Sequence, residues 1–440
     1  MTTSSADPLL LITADRLLDG TGGPAVENGA VLIGGGKIIA AGRASEVVAP
    51  DGAPVETRSY PGMTIMPGMV DCHTHHNGFG DGRVGDTIGE IPSEILTLQS
   101  ARNAHASLFT GVTTIRENGP KAYTMLRLRD AINEGIVTGP RMVLCGRAVS
   151  IIGGHMGFFG TVATGENEVR AQARRLIKEG ADYIKVTATG GTTTTSFPLL
   201  PSFNIDELRA LTETAHGMGK LTAAHCSSTQ GSINSLDAGI DMIIHCIFRD
   251  ADGSDVFRED VVDRIAEAGA YVNPTLAVQQ AGVWALLDKK SERPLSKTEQ
   301  ASLDEAERNF EQRMEDSRRM LGMGVKMITG SDSSWADFRL GNAPYETELL
   351  TQVGLSGPAG VASITGDAAR SLGIDDIVGT LTPGKFADVV VIDGQPDKRA
   401  ADLWNVAEVF LGGERIDRGS VESRAKLKQH RPASAHPHEH

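Results

Sequence analysis

Cysteine is scarce in this chain. Only Cys72, Cys145, Cys226 and Cys246 occur in 440 residues, and no two are spaced as Cys-x-x-Cys. A disulfide framework is therefore not expected, and the four read as small, buried, reduced thiols. Positive charge is also short. Lys and Arg number 42 against 56 Asp and Glu, a formal net charge of −14, which argues against nucleic acid or an anionic membrane surface as partner. No apolar run approaches the ~20 residues that span a bilayer. The N-terminus shows no basic region ahead of an apolar stretch. The expectation is a soluble, cytoplasmic protein that meets a small-molecule substrate.

The chain is rich in glycine, with 51 residues, and 40% hydrophobic, as suits a globular α/β protein with many tight turns. Short apolar runs alternate with amphipathic stretches, which predicts βα units and a parallel sheet. Strands are expected to end near 75, 117, 146, 186, 225, 245, 274 and 332. Helices are expected over 92–110, 121–134, 166–179, 204–218, 231–238, 258–268 and 296–323. Asn204 and Glu207 form a capping box at the start of the fourth. The helix 296–323 mixes both charge signs and reads as a solvated outer helix.

Six residues at the ends of the β-like runs carry most of the information. The run 65–75 closes in His73-Thr74-His75, and alternate strand residues share a face, so both histidines project together. The runs 182–186, 221–225, 242–245 and 325–332 bring Lys185, His225, His245 and Asp332. A single histidine on a strand is ordinarily a satisfied core residue. Five ordinary ligand types in this order suit Zn2+ and similar divalent ions. Lys185 is the exception, because an ammonium cannot ligate a metal. It follows a buried apolar run, so its neutral amine is favoured. The alternative is an ion pair with Asp332 or Glu117.

This pattern resembles the amidohydrolase superfamily of metal-dependent hydrolases. Segments 11–22, 31–42 and 379–394 resemble the parts of that family outside its barrel. The resemblance implies an α/β fold with a (β/α)8 TIM barrel over 67–378. It also implies a small β-sandwich formed from both chain ends, 1–66 plus 379–425, and 426–440 is expected to be a disordered tail. His73, His75, Lys185, His225, His245 and Asp332 would be metal ligands for one or two ions, Zn2+ first, with Mn2+ or Co2+ as alternatives. Lys185 would carry a CO2-derived carbamate that bridges them. A metal-activated hydroxide would attack a carbonyl, with Asp332 moving the proton. A homo-oligomer is the expected assembly.

Within the superfamily, 111–117, 185–191 and Gly153-Gly154-His155 resemble the branch of prolidase-like enzymes, ochratoxin amidases, and phenylurea and thiocarbamate hydrolases. His155 is either a catalytic and substrate contact or a loop anchor. Phe158, Phe197 and Trp335 lie just past strand ends and are candidate substrate contacts, with Met156 and Phe159 nearby. Arg116 and Glu117 are expected to form an ion pair beneath the site. Prolidase-like members follow the strand-5 histidine with Ala-Tyr; here it is Cys226-Ser227. The leading expectation is a hydrolase of C–N bonds in a small, neutral, aromatic amide, urea or carbamate. A dipeptidase or carboxypeptidase-like enzyme would need Arg147 or Arg249 to meet a carboxylate. A non-catalytic scaffold would have lost ligands, and a mononuclear deaminase would not carry Lys185.

Overall fold

The structure is a computed structural model and describes residues 8–335 and 338–418. The disordered tail expected at 426–440 lies outside the described residues. Contacts divide the chain into two compact units. One holds the chain up to Asp71, His105–Thr114 and the stretch from Ala343; the other holds Cys72–Ala104 and Ile115–Asn342.

The first unit contains β1 (Leu9–Leu17), β2 (Val26–Gly34), β3 (Lys37–Arg43) and β4 (Val55–Pro67) from the start of the chain. Its sheet is completed by strands from the far end, described below. Before them come eight short strands: β5 (Met69–Thr74), β6 (Val112–Glu117), β7 (Arg141–Leu144), β8 (Ile184–Thr187), β9 (Thr222–His225), β10 (Met242–Ile244), β11 (Tyr271–Asn273) and β12 (Lys326–Met327). The chain then adds β13 (Val389–Ile392), β14 (Val406–Leu411) and β15 (Glu414–Arg415).

Seven strands share one mixed sheet in the order β15-β14-β13-β4-β1-β2-β3. β4 pairs parallel with β1 and antiparallel with β13, Val390 opposite Met66. The hydrogen bonding is continuous, so both chain ends build one mixed sheet. It folds back on itself where Lys37, at the start of β3, bridges Phe386 just before β13. Ile12, Val31, Ile65, Val389, Val391 and Phe410 fill the concavity this creates. Alternation along each strand supplies those inward side chains.

The eight short strands run in chain order around a ring. Hydrogen bonds join β5-β6-β7 and β8-β9-β10-β11-β12. Two parallel bridges link the pieces, Val149 to Val186 and Thr74 to Ser333. β5, β6, β8, β9 and β10 are buried at every position, which is why they read as continuous apolar runs rather than alternating ones. Helices follow most strands. The capping box at Asn204 and Glu207 is present, with both backbone N–H groups satisfied at 2.9 Å.

Two elements depart from expectation. Leu276–Glu292 is a helix that follows β11 directly, and its apolar residues surround it without a stripe, so no period marked it. The helix Lys297–Gly322 is not purely solvated, because Leu303, Arg313, Asp316, Ser317 and Met320 are buried.

Candidate active site

All six residues singled out by sequence border one cavity of about 510 Å3. His73 and His75 lie at the end of β5, Lys185 in β8, His225 at the end of β9, His245 just past β10, and Asp332 past β12. Each is delivered by the C-terminal end of a parallel strand, where successive βα loops converge.

Nε2 of His73 lies 3.2 Å from Nε2 of His75. Oδ1 of Asp332 is 3.3 Å from the first and 3.2 Å from the second. Three buried ligand atoms thus converge on one point, an arrangement that can hold a metal ion. Asn273 fixes the tautomer of His73. Its Nδ2 donates to the carbonyl of Gly330 at 3.1 Å, so its Oδ1 accepts from His73 Nδ1 at 3.0 Å. The His73 Nε2 lone pair is left facing the cluster, as an outer hydrogen-bond partner does for a ligating histidine. A Cβ on Gly330 would meet Asn273 at 2.6 Å.

A second pair stands alongside. Nδ1 of His225 and Nε2 of His245 are 2.8 Å apart. His225 Nε2 donates to the carbonyl of Gly190 at 3.0 Å, and His245 Nδ1 meets Thr275 Oγ1 at 2.7 Å. With Nδ1 of His245 donating to Thr275, two lone pairs face each other, and a cation suits that geometry. The donor chemistry therefore fits divalent metal on both sides.

Electrostatics agree. Burial first, then the Lys185 charge, pushes His73 well below its ordinary range. Burial takes His245 down to about 3. Neutral imidazoles are what a metal requires. For Asp332 burial opposes ionisation, but the His75 hydrogen bond and neighbouring positive charges outweigh it and hold the carboxyl below the usual range. Burial, followed by the Arg116 charge, lowers Lys185 to about 7. Among the described residues no carboxylate lies within ion-pair distance of its Nζ, which sits 3.5 Å from Asn118 Oδ1. The alternative ion pair with Asp332 or Glu117 is not what the structure holds.

Several expectations change. Arg116 and Glu117 point to opposite faces of β6, so they do not pair with each other. Arg116 Nε donates to the Cys72 carbonyl at 2.7 Å, whereas Glu117 accepts from the His76 backbone at 2.8 Å. Phe158 does not border the cavity. It packs on the helix Gly85–Glu90, where the missing side chains of Gly85 and Gly89 admit its ring. Phe197 is 64% exposed and lies outside this cavity too, bordering a neighbouring one. Arg147 is bound to Glu179 at 2.5 Å and Thr161 at 2.7 Å, away from the site. All four thiols are buried and none is in a disulfide.

Two other expected residues lie at the wall. His155 has its ring 4.5 Å from that of His225, and its Nδ1 meets Thr193 Oγ1 at 3.0 Å. It both borders the cavity and anchors a loop. Trp335 has its ring 4.8 Å from that of His75. Sequence reading missed Arg83, Leu199, Ile247, Val278 and Gln279, which also line the cavity. Their common signal was available: each follows a strand end. It also missed Arg313, whose guanidinium enters from the helix Lys297–Gly322. Arg313 donates to the carbonyls of His245, Cys246 (3.1 Å) and Pro274 (3.0 Å).

The model of the amidohydrolase family matches residues 64–416. The chain belongs to that family. It is a metal-dependent hydrolase of carbon–nitrogen bonds, and His73, His75 and Asp332 form a group that could hold a metal ion. Ochratoxinase of Aspergillus niger is 24% identical over 91% of this chain and 86% of its own. Its crystal structure superposes with a TM-score of 0.78 at 23% identity, over 95% of this chain and 98% of that one. A Xaa-Pro dipeptidase with methionine bound in its active site gives 0.78 at 24% identity, over 93% of this chain and all of that one. Phenylurea hydrolase B gives 0.75 at 20%, over 93% and 97%. These likenesses imply that the ring of eight strands is a TIM barrel.

Proposed function

We propose that this amidohydrolase cleaves the C–N bond of a small, largely neutral amide, urea or carbamate within a (β/α)8 barrel formed by residues 67–378. The observation that carries the reading is the convergence of His73 Nε2, His75 Nε2 and Asp332 Oδ1 beside the His225–His245 pair. His73, His75 and Asp332 would hold one divalent ion, zinc first, and His225 and His245 a second. Lys185, as a carbamate, would join the two. When bound, such ions make a hydroxide available near neutral pH and polarise a carbonyl.

The residues themselves divide the remaining work. Asp332 Oδ2, outside the His73–His75 triangle, is placed to take a proton from the attacking water and pass it to the departing nitrogen. His155 is neutral, lowered to about 3 by burial, and is suited to hydrogen-bond a substrate oxygen without adding charge. Val84, Met156, Leu199, Ile247, Val278 and Trp335 supply an apolar wall, which favours an uncharged, partly aromatic molecule.

A carboxypeptidase-like reading has one observation in its favour, because Arg249 borders the cavity. The test is a hydrolysis screen across N-acyl amino acids, Xaa-Pro dipeptides, aryl ureas and carbamates, before and after chelation. Neutral substrates should be turned over best, and only with metal present. A dipeptide with kcat/KM tenfold above every neutral compound would overturn the substrate assignment; full activity in metal-free protein would overturn the metal's role.

A further inference from the structure

Arg249 and Asp255 face each other across a hairpin that follows β10. The two form an antiparallel bridge. Val256 N donates to Phe248 O at 3.2 Å, Asp250 N to Ser254 O at 2.9 Å, and Gly253 N to Asp250 O at 2.9 Å. Gly253 takes φ +87° at the tip, a conformation glycine adopts without strain. Asp252 ties the turn further by accepting from both the backbone N and Oγ of Ser254. Directly opposed residues on such a pair lie close enough to interact. Here they do so along two parallel hydrogen bonds: Arg249 Nε to Asp255 Oδ1 at 2.7 Å, and Nη2 to Oδ2 at 2.9 Å.

The position of the pair is as informative as its geometry. Arg249 borders the catalytic cavity, while Asp255 borders a neighbouring cavity of about 590 Å3 with Phe197, Glu305 and Arg308. Pro198, Leu199 and Arg249 belong to both, so Arg249 is the charged residue in the partition. Its Nε–Nη2 edge is the one that grips a carboxylate in two-pronged fashion, and Asp255 already holds it. The other arginine on the catalytic cavity, Arg83, is likewise committed. It pairs with Asp81 at 3.2 Å and lies 4.0 Å over the ring of Phe79. Each arginine at this wall is matched by an acid of its own loop.

We infer that Asp255 is a specificity-determining residue. By occupying the carboxylate-binding edge of Arg249, it turns the cavity against substrates that carry a carboxylate and confines the enzyme to neutral ones. Discrimination of this kind works by denying a partner to the wrong ligand, not by adding contacts to the right one. The inference rests on the neutral-substrate reading above, and it names the residues responsible.

The test uses a matched pair of probes, N-benzoyl-phenethylamine and N-benzoyl-L-phenylalanine, which differ only by a carboxylate. Binding to the zinc-loaded enzyme is measured by calorimetry, and hydrolysis is measured alongside. Asp255→Asn and Asp255→Ala should each raise the affinity for the carboxylate probe relative to the neutral one by tenfold or more. Adding Arg249→Gln to Asp255→Asn should return the ratio to within twofold of the parent. A ratio unchanged in both folded single variants, or a rise that survives in the double variant, would overturn the inference. Preference of the parent enzyme for the carboxylate probe would instead overturn the neutral-substrate reading. The binding ratio decides the role of Asp255 even if neither amide is hydrolysed.

Discussion

Arg313 donates to the backbone carbonyl of His245 from a helix that begins beyond β11. His245, Cys246 and Thr275 all take positive φ, at 68°, 52° and 51°. Each such residue costs on the order of 1 kcal/mol or more unless its surroundings impose it. Arg313 satisfies the carbonyls of two of them, and of Pro274 beside the third. One buried guanidinium thereby holds the turn that aims His245.

Arg313→Met should therefore weaken zinc binding roughly 10- to 100-fold, the range for losing an outer partner of a ligand. Competition against a chromophoric chelator measures it. A purely structural role would lower Tm equally with and without zinc. A positioning role should also shrink the zinc-induced rise in Tm.

Asn273 sets the tautomer of His73, so Asn273→Ala should cost metal affinity in the same rough range of 10- to 100-fold. Asn273→Asp retains an acceptor and should recover much of the loss. Gly330→Ala should mimic Asn273→Ala, because its Cβ would displace the Asn273 side chain. Equal zinc affinity in all three variants would remove Asn273 from this role.

Lys185→Ala should cost more activity than the roughly 100-fold expected of an outer partner. Acetate or formate at high concentration should restore part of it by supplying the missing carboxylate-like oxygens. Mass measurement of the active, metal-loaded protein should show the added carbon dioxide. A plain ammonium in fully active enzyme would rule out the bridging carbamate.

Trp335→Ala should raise KM more than it lowers kcat. Its ring lines the cavity beside His75, and an apolar wall holds ground and transition states alike. Steady-state kinetics on the best neutral substrate decides this. A fall confined to kcat would place Trp335 in the chemistry instead.

Much of the ring of strands and of the candidate site was legible because both depend on local pattern. A buried parallel strand reads as an apolar run, and a ligand at its end reads as a polar residue out of place. His73, His75, Lys185, His225, His245 and Asp332 all stood out for that reason. Residues that act across the fold left no such mark. Arg313 sits in a stretch crowded with charge, where nothing distinguishes the one arginine that turns inward. Asn273 was inside an identified strand, yet its partner is 200 positions away. Phe158 and Phe197 misled because position after a strand does not say which way a loop side chain faces. The helix Leu276–Glu292 lacked a polar face, so periodicity could not reveal it.

The pairing of β4 with β13 has a consequence for biosynthesis. The N-terminal strands emerge from the ribosome long before their neighbour exists. At ~5–20 residues per second, the interval between completing β4 and starting β13 is roughly a quarter of a minute to a minute. Throughout that time β4 presents an unpaired edge, and such edges recruit foreign strands. The nascent chain is thus most exposed to aggregation in its first seventy residues while the barrel is still being made.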